Sequence, residues 1–198
     1  MHTPLVLIAD DDPALRQALP DTLQRHLPGI LVETCPSAEA AVSYLEASEY
    51  DVVITDVRMP GDGLALLRTV RRRWPHTPVV VITGYGDNIL LRAAREEGAF
   101  AFFDKPIERD QFTAMIAKAI QVHGLEHQRE ELERELSLLR GTGDATPTRI
   151  VPDEQEHLIF LVRAREDLKR RLEDTDAKLH DMKRDTATPP TPPDCGSH

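Results

Sequence analysis

No apolar run in the chain approaches the ~18 residues that cross a bilayer. The short apolar stretch near the start runs into Asp10, Asp11 and Asp12. It is too short and too acidic to read as a signal peptide. Cysteine is scarce: Cys35 and Cys195 lie far apart and suggest no disulfide framework, so two unpaired thiols in a reducing cytosol are expected. Positive charge is also in deficit. A net charge of −10 argues against nonspecific binding to nucleic acid or an anionic membrane. The one basic run, Arg71-Arg72-Arg73, reads as a solvated helix end. No Gly-rich segment ends in the Lys-Ser/Thr of a phosphate-binding loop, which excludes a P-loop ATPase. These absences together point to a cytoplasmic protein.

What is present is unevenly spread. Of the 198 residues 40% are hydrophobic, and the β-branched runs fall almost entirely in the first two thirds. There, short apolar runs alternate with longer amphipathic stretches. Strands are expected at Pro4–Ala9, Ile30–Cys35, Asp51–Thr55, Pro78–Thr83 and Phe100–Phe103, and helices at 13–26, 37–47, 64–74, 87–97 and 109–122. Pro13 suits a first helical turn, Ser37 an N-cap, and Pro75 and Gly98 close helical stretches. Five βα repeats imply an α/β fold, a parallel sheet with helices on both faces. The unbroken Val79-Val80-Val81-Ile82 fits a strand buried on both sides.

Beyond Gly124 the pattern becomes heptad-like. Leu125, Arg129, Leu132, Leu136 and Leu139 form one seam, and Leu158, Leu161, Arg165, Leu168, Leu172, Thr175, Leu179 and Met182 a second. Gly141 to Pro147 separates them, and the tail from Thr186, with Pro189, Pro190, Pro192 and Pro193, is expected to be disordered. The expected organisation is a domain at 1–122, a heptad-like helix at 123–140, a linker at 141–152, a second such helix at 153–185 and a Pro-rich tail at 186–198. No three-helix core with a turn signal is present, so this third of the chain is a poor reader of DNA. His157 and His180 lie on the second helix. A histidine phosphotransfer module needs a four-helix bundle, so both are expected to be solvated surface residues.

Chemistry concentrates where strands end. Asp10, Asp11 and Asp12 follow the first strand, Asp56 closes Asp51-Val52-Val53-Ile54-Thr55-Asp56, Thr83 closes the fourth, and Lys105 follows the fifth. In open parallel sheets the working site lies at the carboxyl ends of the strands. Clustered carboxylates repel unless a cation neutralises them. Mg²⁺, which takes one or two carboxylates and keeps several waters, would suit Asp10, Asp11 and Asp56. Asp56 would then be a carboxylate nucleophile toward a phosphoryl group, with Lys105 and Thr83 contacting the transferred oxygens.

The ordered set Ile8-Ala9-Asp10-Asp11-Asp12-Pro13 with Leu15-Arg16, Asp56-Val57-Arg58-Met59-Pro60, Thr83-Gly84 and Asp104-Lys105-Pro106 resembles the receiver domain of bacterial two-component response regulators. The region around Asp56 and Leu64-Ala65-Leu66-Leu67 is most similar to receivers fused to ATPase transcriptional activators of the sigma-54 type, without their ATPase and DNA-binding parts. That resemblance implies a (βα)5 sheet of strand order 2-1-3-4-5, with Asp56 as phosphoacceptor. It implies Mg²⁺ at Asp10, Asp11, Asp56 and the Arg58 main-chain carbonyl, and Thr83 and Lys105 on the phosphoryl group. Phe102 falls at the family's switch aromatic, and Asp12 where the family often has Glu, a weaker metal candidate. Receivers commonly place a variable residue between Met-Pro-Gly and Asp-Gly; Met59-Pro60-Gly61-Asp62-Gly63 lacks it, so a tighter loop with altered phosphorylation kinetics is expected.

The expected function is to accept a phosphoryl group from a histidine kinase and signal through a homodimer or protein partner bound by the C-terminal helices, with no nucleic acid and no membrane. No separate substrate or further cofactor is implied, so the chain is not expected to be an enzyme. A phosphoaspartate-type hydrolase would need a second acid where Arg58 stands, and a pseudo-receiver scaffold would not need the acid pair, Thr83 and Lys105 together.

Overall fold

A computed structural model describes residues 2–84, 88–141 and 152–186. Of the expected linker at 141–152, Gly141 and Pro152 are helical and 142–151 lie outside these residues; of the expected tail at 186–198, Thr186 is helical and 187–198 lie outside them, as do the side chains of His157 and Leu158. The chain divides into two compact units, Met1–Gly124 and Leu125–His198.

In the first unit the elements alternate as β1 (Leu5–Ala9), α1 (Pro13–His26), β2 (Leu31–Cys35), α2 (Ala38–Ala47), β3 (Val52–Asp56), α3 (Gly63–Arg73), β4 (Val79–Thr83), α4 (Asn88–Glu96) and β5 (Ala101–Asp104). A further helix, α5 (Arg109–Gly141), begins in this unit. The strands pair in parallel in the order β2-β1-β3-β4-β5. The expected order is therefore the observed one.

Strands β3 and β4 are buried at every residue, which is why their sequences show no polar alternation. Alternate residues point to opposite faces. Leu7, Val53, Val79 and Val81 pack with Ala41, Leu45, Leu66, Leu67 and Val70 in one layer. Val6, Ile8, Ile54, Val80 and Ile82 pack with Leu19, Leu23, Phe112 and Ile116 in the other. Ser37 caps α2 by accepting from the Ala40 N–H, and Asp62 caps α3 by accepting from Leu64.

At the amino end of β3, Asp51 is a buried carboxylate. It accepts from the Leu5 N–H at 2.7 Å, His2 Nε2 at 2.9 Å and His123 Nδ1 at 3.1 Å. The starts of β1 and β3 are thus tied to the last turn of α5 in this unit. In the basic run on α3, Arg73 pairs with Glu46 of α2 and stacks on Trp74, and Arg71 donates to the Pro75 carbonyl.

Helix α5 does not stop near residue 122 but continues unbroken to Gly141. One Gly inside a long helix costs only about 1 kcal/mol, too little for Gly124 to end it. In the second unit its later turns pack against α6 (Pro152–Thr186). Leu132, Leu136 and Leu168 are buried together, with Leu139 and Leu172 against them. Lys183 pairs with Glu126, so the partner on α6 moves back along the sequence as α5 advances, and the helices run antiparallel. Among the described residues the seam departs from expectation on both helices: on α5 Glu126 is buried while Leu125 is only half-buried, and on α6 the seam shifts by one residue at Arg165. Arg165 is exposed, and Ala164 is the more buried of the two. A charged head prefers water, and a small residue lets the helices approach. Thr175 is buried, its hydroxyl satisfied by the Arg171 carbonyl; His180 is exposed.

Candidate functional site

The parallel order sets the ends of β1, β3, β4 and β5 side by side. Asp56 is the last residue of β3, opposite Ile82, and Thr83 closes β4 opposite Asp104. Asp10 directly follows β1, and Lys105 directly follows β5. Residues that are distant in sequence thereby meet at one edge of the sheet.

Ligand atoms of Asp10, Asp11 and Asp56 all lie within 4.8 Å of one another. Asp10 and Asp56 are buried, and Asp11 is exposed. Lys105 Nζ donates to Asp56 Oδ2 at 2.7 Å and to Asp10 Oδ2 at 3.0 Å. Burial pushes the Asp10 carboxyl above its ordinary value, against the downward pull of the Asp12 N–H and of Lys105. For Lys105, burial pulls downward, but the hydrogen bonds to Asp56 and Asp10 outweigh it, and its pKa is raised. One ammonium is thus shared by two buried acids.

Asp12 has a different task. Its carboxylate accepts from the Ala14 N–H and caps α1, while its own N–H donates to Asp10 Oδ1 at 2.8 Å. The Arg58 N–H donates to Asp56 Oδ1 at 3.2 Å. Thr83 is fully buried, its hydroxyl 3.5 Å from the Gly84 carbonyl. Phe102 lies opposite Val81 on β5, half-buried, with the Arg95 guanidinium 4.8 Å from its ring centre. The Lys105–Pro106 peptide is cis.

The loop after Asp56 is closely packed. Gly61 and Asp62 both adopt positive φ, +87° and +62°. A Cβ on Gly63 would sit 1.9 Å from the Asp56 carbonyl oxygen, so only glycine fits there. Two features escaped the sequence reading. One is this contact of Gly63, which the missing loop residue hinted at. The other is the contact of Arg16, which the motif Leu15-Arg16 contained without a role: its Nη1 donates to the Asp10 carbonyl at 2.7 Å.

Two nearby acids, a cation and a strand-end hydroxyl form an arrangement suited to holding a divalent ion and a phosphoryl group. Among the described residues no helix is long and apolar enough to cross a membrane.

The chain is similar to known regulatory proteins. The chain is 40% identical over 121 residues to the C4-dicarboxylate transport transcriptional regulatory protein DctD of Pseudomonas aeruginosa, covering 61% of this chain and 26% of that protein. It is 34% identical over 148 residues to the DNA-binding transcriptional regulator NtrC of Escherichia coli, covering 73% of this chain and 30% of that one. It therefore spans less than a third of the length of either. A solved response regulator receiver protein from Pseudomonas putida superposes with a TM-score of 0.56 at 30% identity, covering 60% of this chain and 98% of that one. Residues 6–117 match the response regulator receiver domain, and by that match the chain belongs to the response regulator receiver family.

Proposed function

We propose that Asp56 accepts a phosphoryl group from a phosphohistidine of a histidine kinase, with Mg²⁺ held by Asp10, Asp11, Asp56 and the Arg58 carbonyl. The observation that carries this reading is the single ammonium of Lys105 bridging Asp56 and Asp10. It sets a cation beside the strand-end carboxylate, ready for the incoming charge. An Asp56 oxygen attacks phosphorus, the phosphorus–nitrogen bond breaks, and the histidine leaves as imidazole after taking up a proton, leaving an aspartyl phosphate. Bound Mg²⁺ supplies charge neutralisation for the phosphoryl oxygens. Lys105 and the Thr83 hydroxyl contact those oxygens, and Phe102 responds as the switch aromatic. The chain modifies itself and acts on no separate substrate, so it is a signalling protein of the cytoplasm rather than an enzyme.

Residues 1–122 perform this chemistry, and the later turns of α5 together with α6 carry the output. Output passes through self-association or a docked protein partner, not DNA. Burial of Leu132, Leu136 and Leu168 against one another within the chain favours docking, because the apolar seam is already occupied. Exposed Leu138, Phe160 and Val162 offer such a partner its apolar anchors.

The test is incubation with acetyl phosphate and Mg²⁺, followed by intact mass and solution size for the wild type and Asp56→Ala. One phosphoryl group gained by the wild type and not by the variant is expected. Absence of uptake from every donor would sink the reading, and a change of size on phosphorylation would favour self-association over docking.

A further inference from the structure

Asp10 makes four polar contacts, and each has its own partner. Its N–H donates to the Cys35 carbonyl at 3.1 Å, and its carbonyl accepts from Arg16 Nη1 at 2.7 Å. Oδ1 accepts from the Asp12 N–H at 2.8 Å, and Oδ2 accepts from Lys105 at 3.0 Å. Both carboxylate oxygens are therefore engaged. A divalent ion bound by Asp10 must share or displace one of these contacts, and Lys105 is the mobile one. It is a flexible ammonium divided between two acids, whereas the Asp12 N–H belongs to the backbone of the capped turn. When Lys105 turns to a phosphoryl group on Asp56, Asp10 loses the side chain that held it.

We propose that Arg16 is the positioning residue that keeps Asp10 aimed at the divalent ion when Lys105 leaves it. Arg16 stands in the first turns of α1, half-buried, and reaches back across the turn to the end of β1. It grips a main-chain oxygen and consumes neither of the atoms that the ion needs. A planar guanidinium that is always charged makes a strong, directed hydrogen bond of this kind. Lys105 and Arg16 thus divide the work: one cation moves to the phosphoryl group while the other stays with the turn. Groups that orient metal ligands from behind typically alter affinity about 10–100-fold when removed. The inference rests on the Mg²⁺ reading of this site.

The experiment is calorimetric titration of the full chain with Mg²⁺ alone, for the wild type, Arg16→Met, Arg16→Gln and Arg16→Lys, together with thermal melting of each metal-free protein. Affinity about tenfold weaker in the Met and Gln variants, partly restored by Lys, with metal-free melting little changed, is the expected result. Unchanged or tighter Mg²⁺ binding in either neutral variant that melts cooperatively overturns the role of Arg16. A wild-type chain that takes up no Mg²⁺ removes the metal reading itself, and the inference with it. Phosphoryl uptake by mass is a separate readout that neither outcome depends on.

Discussion

The Lys105 ammonium lies 2.7 Å from the Asp56 carboxylate, and the two residues are 49 apart in sequence. Removing one partner of a buried ion pair leaves the other charge stranded, which costs roughly 3–5 kcal/mol when both are fully buried. Lys105 is 26% exposed, so solvent screens part of this, and Lys105→Met should destabilise the metal-free protein by about 2 kcal/mol. Added Mg²⁺ should shrink the deficit, because it neutralises the same acids. Urea unfolding with and without Mg²⁺ checks this; an equal deficit in both would count against a cation site at Asp10 and Asp56.

Gly63 and Gly124 make opposite predictions for one substitution. Gly63→Ala brings a methyl group against the Asp56 carbonyl and should cost roughly 3 kcal/mol while slowing phosphoryl uptake. Gly124→Ala meets nothing within 4 Å inside a long helix and should stabilise by up to about 1 kcal/mol. Thermal melting of both variants distinguishes a required glycine from an incidental one.

Asp51 predicts a pH dependence. Burial acts to raise its pKa, but the hydrogen bonds from His123, the Leu5 N–H and His2 outweigh it and hold the carboxyl below its ordinary value of 3.8. A carboxyl depressed by folding contributes stability that is present above the ordinary value and lost as pH falls through the lowered one. Asp51→Asn should therefore cost about 2 kcal/mol near neutrality. Chemical unfolding at a series of pH values should show this difference shrinking once the pH falls below the ordinary carboxylate range. A gap that is constant to strongly acidic pH would contradict it.

The helical pair can be perturbed by itself. Leu168→Ala removes one of three leucines buried together and should cost roughly 3 kcal/mol of pairing between α5 and α6. Hydrogen exchange is expected to rise along α6 and the later turns of α5, with the sheet strands unaffected. Protection unchanged across 160–184 would mean that the seam does not hold these helices.

Local patterns made much of this protein readable. Runs such as Val79-Val80-Val81-Ile82, short and β-branched, fit strands covered on both faces, because no alternation leaves a polar side for water. Ser37 announced a helix start through its capping hydroxyl, and Asp10, Asp11, Asp56, Thr83 and Lys105 stood out because each ends or follows an apolar run. The sequence by itself therefore determined the alternation of elements and which side chains stand at strand ends.

Only the tertiary structure decided what those side chains do to one another. Asp12 looked like a third metal acid, yet the turn geometry spends it as the cap of α1. Arg16 stood in the matching motif with no contact assigned to it, and Asp51 looked like the polar start of a strand. Their partners, the Asp10 carbonyl and the side chains of His2 and His123, come from other elements. The length of α5 was likewise hidden, since Gly124 is a weak breaker when packing continues beyond it. A side chain's preference for strand, helix or cap acts over a few residues and can be read along the chain. A hydrogen bond between residues 49 or 72 positions apart exists only after the sheet has assembled.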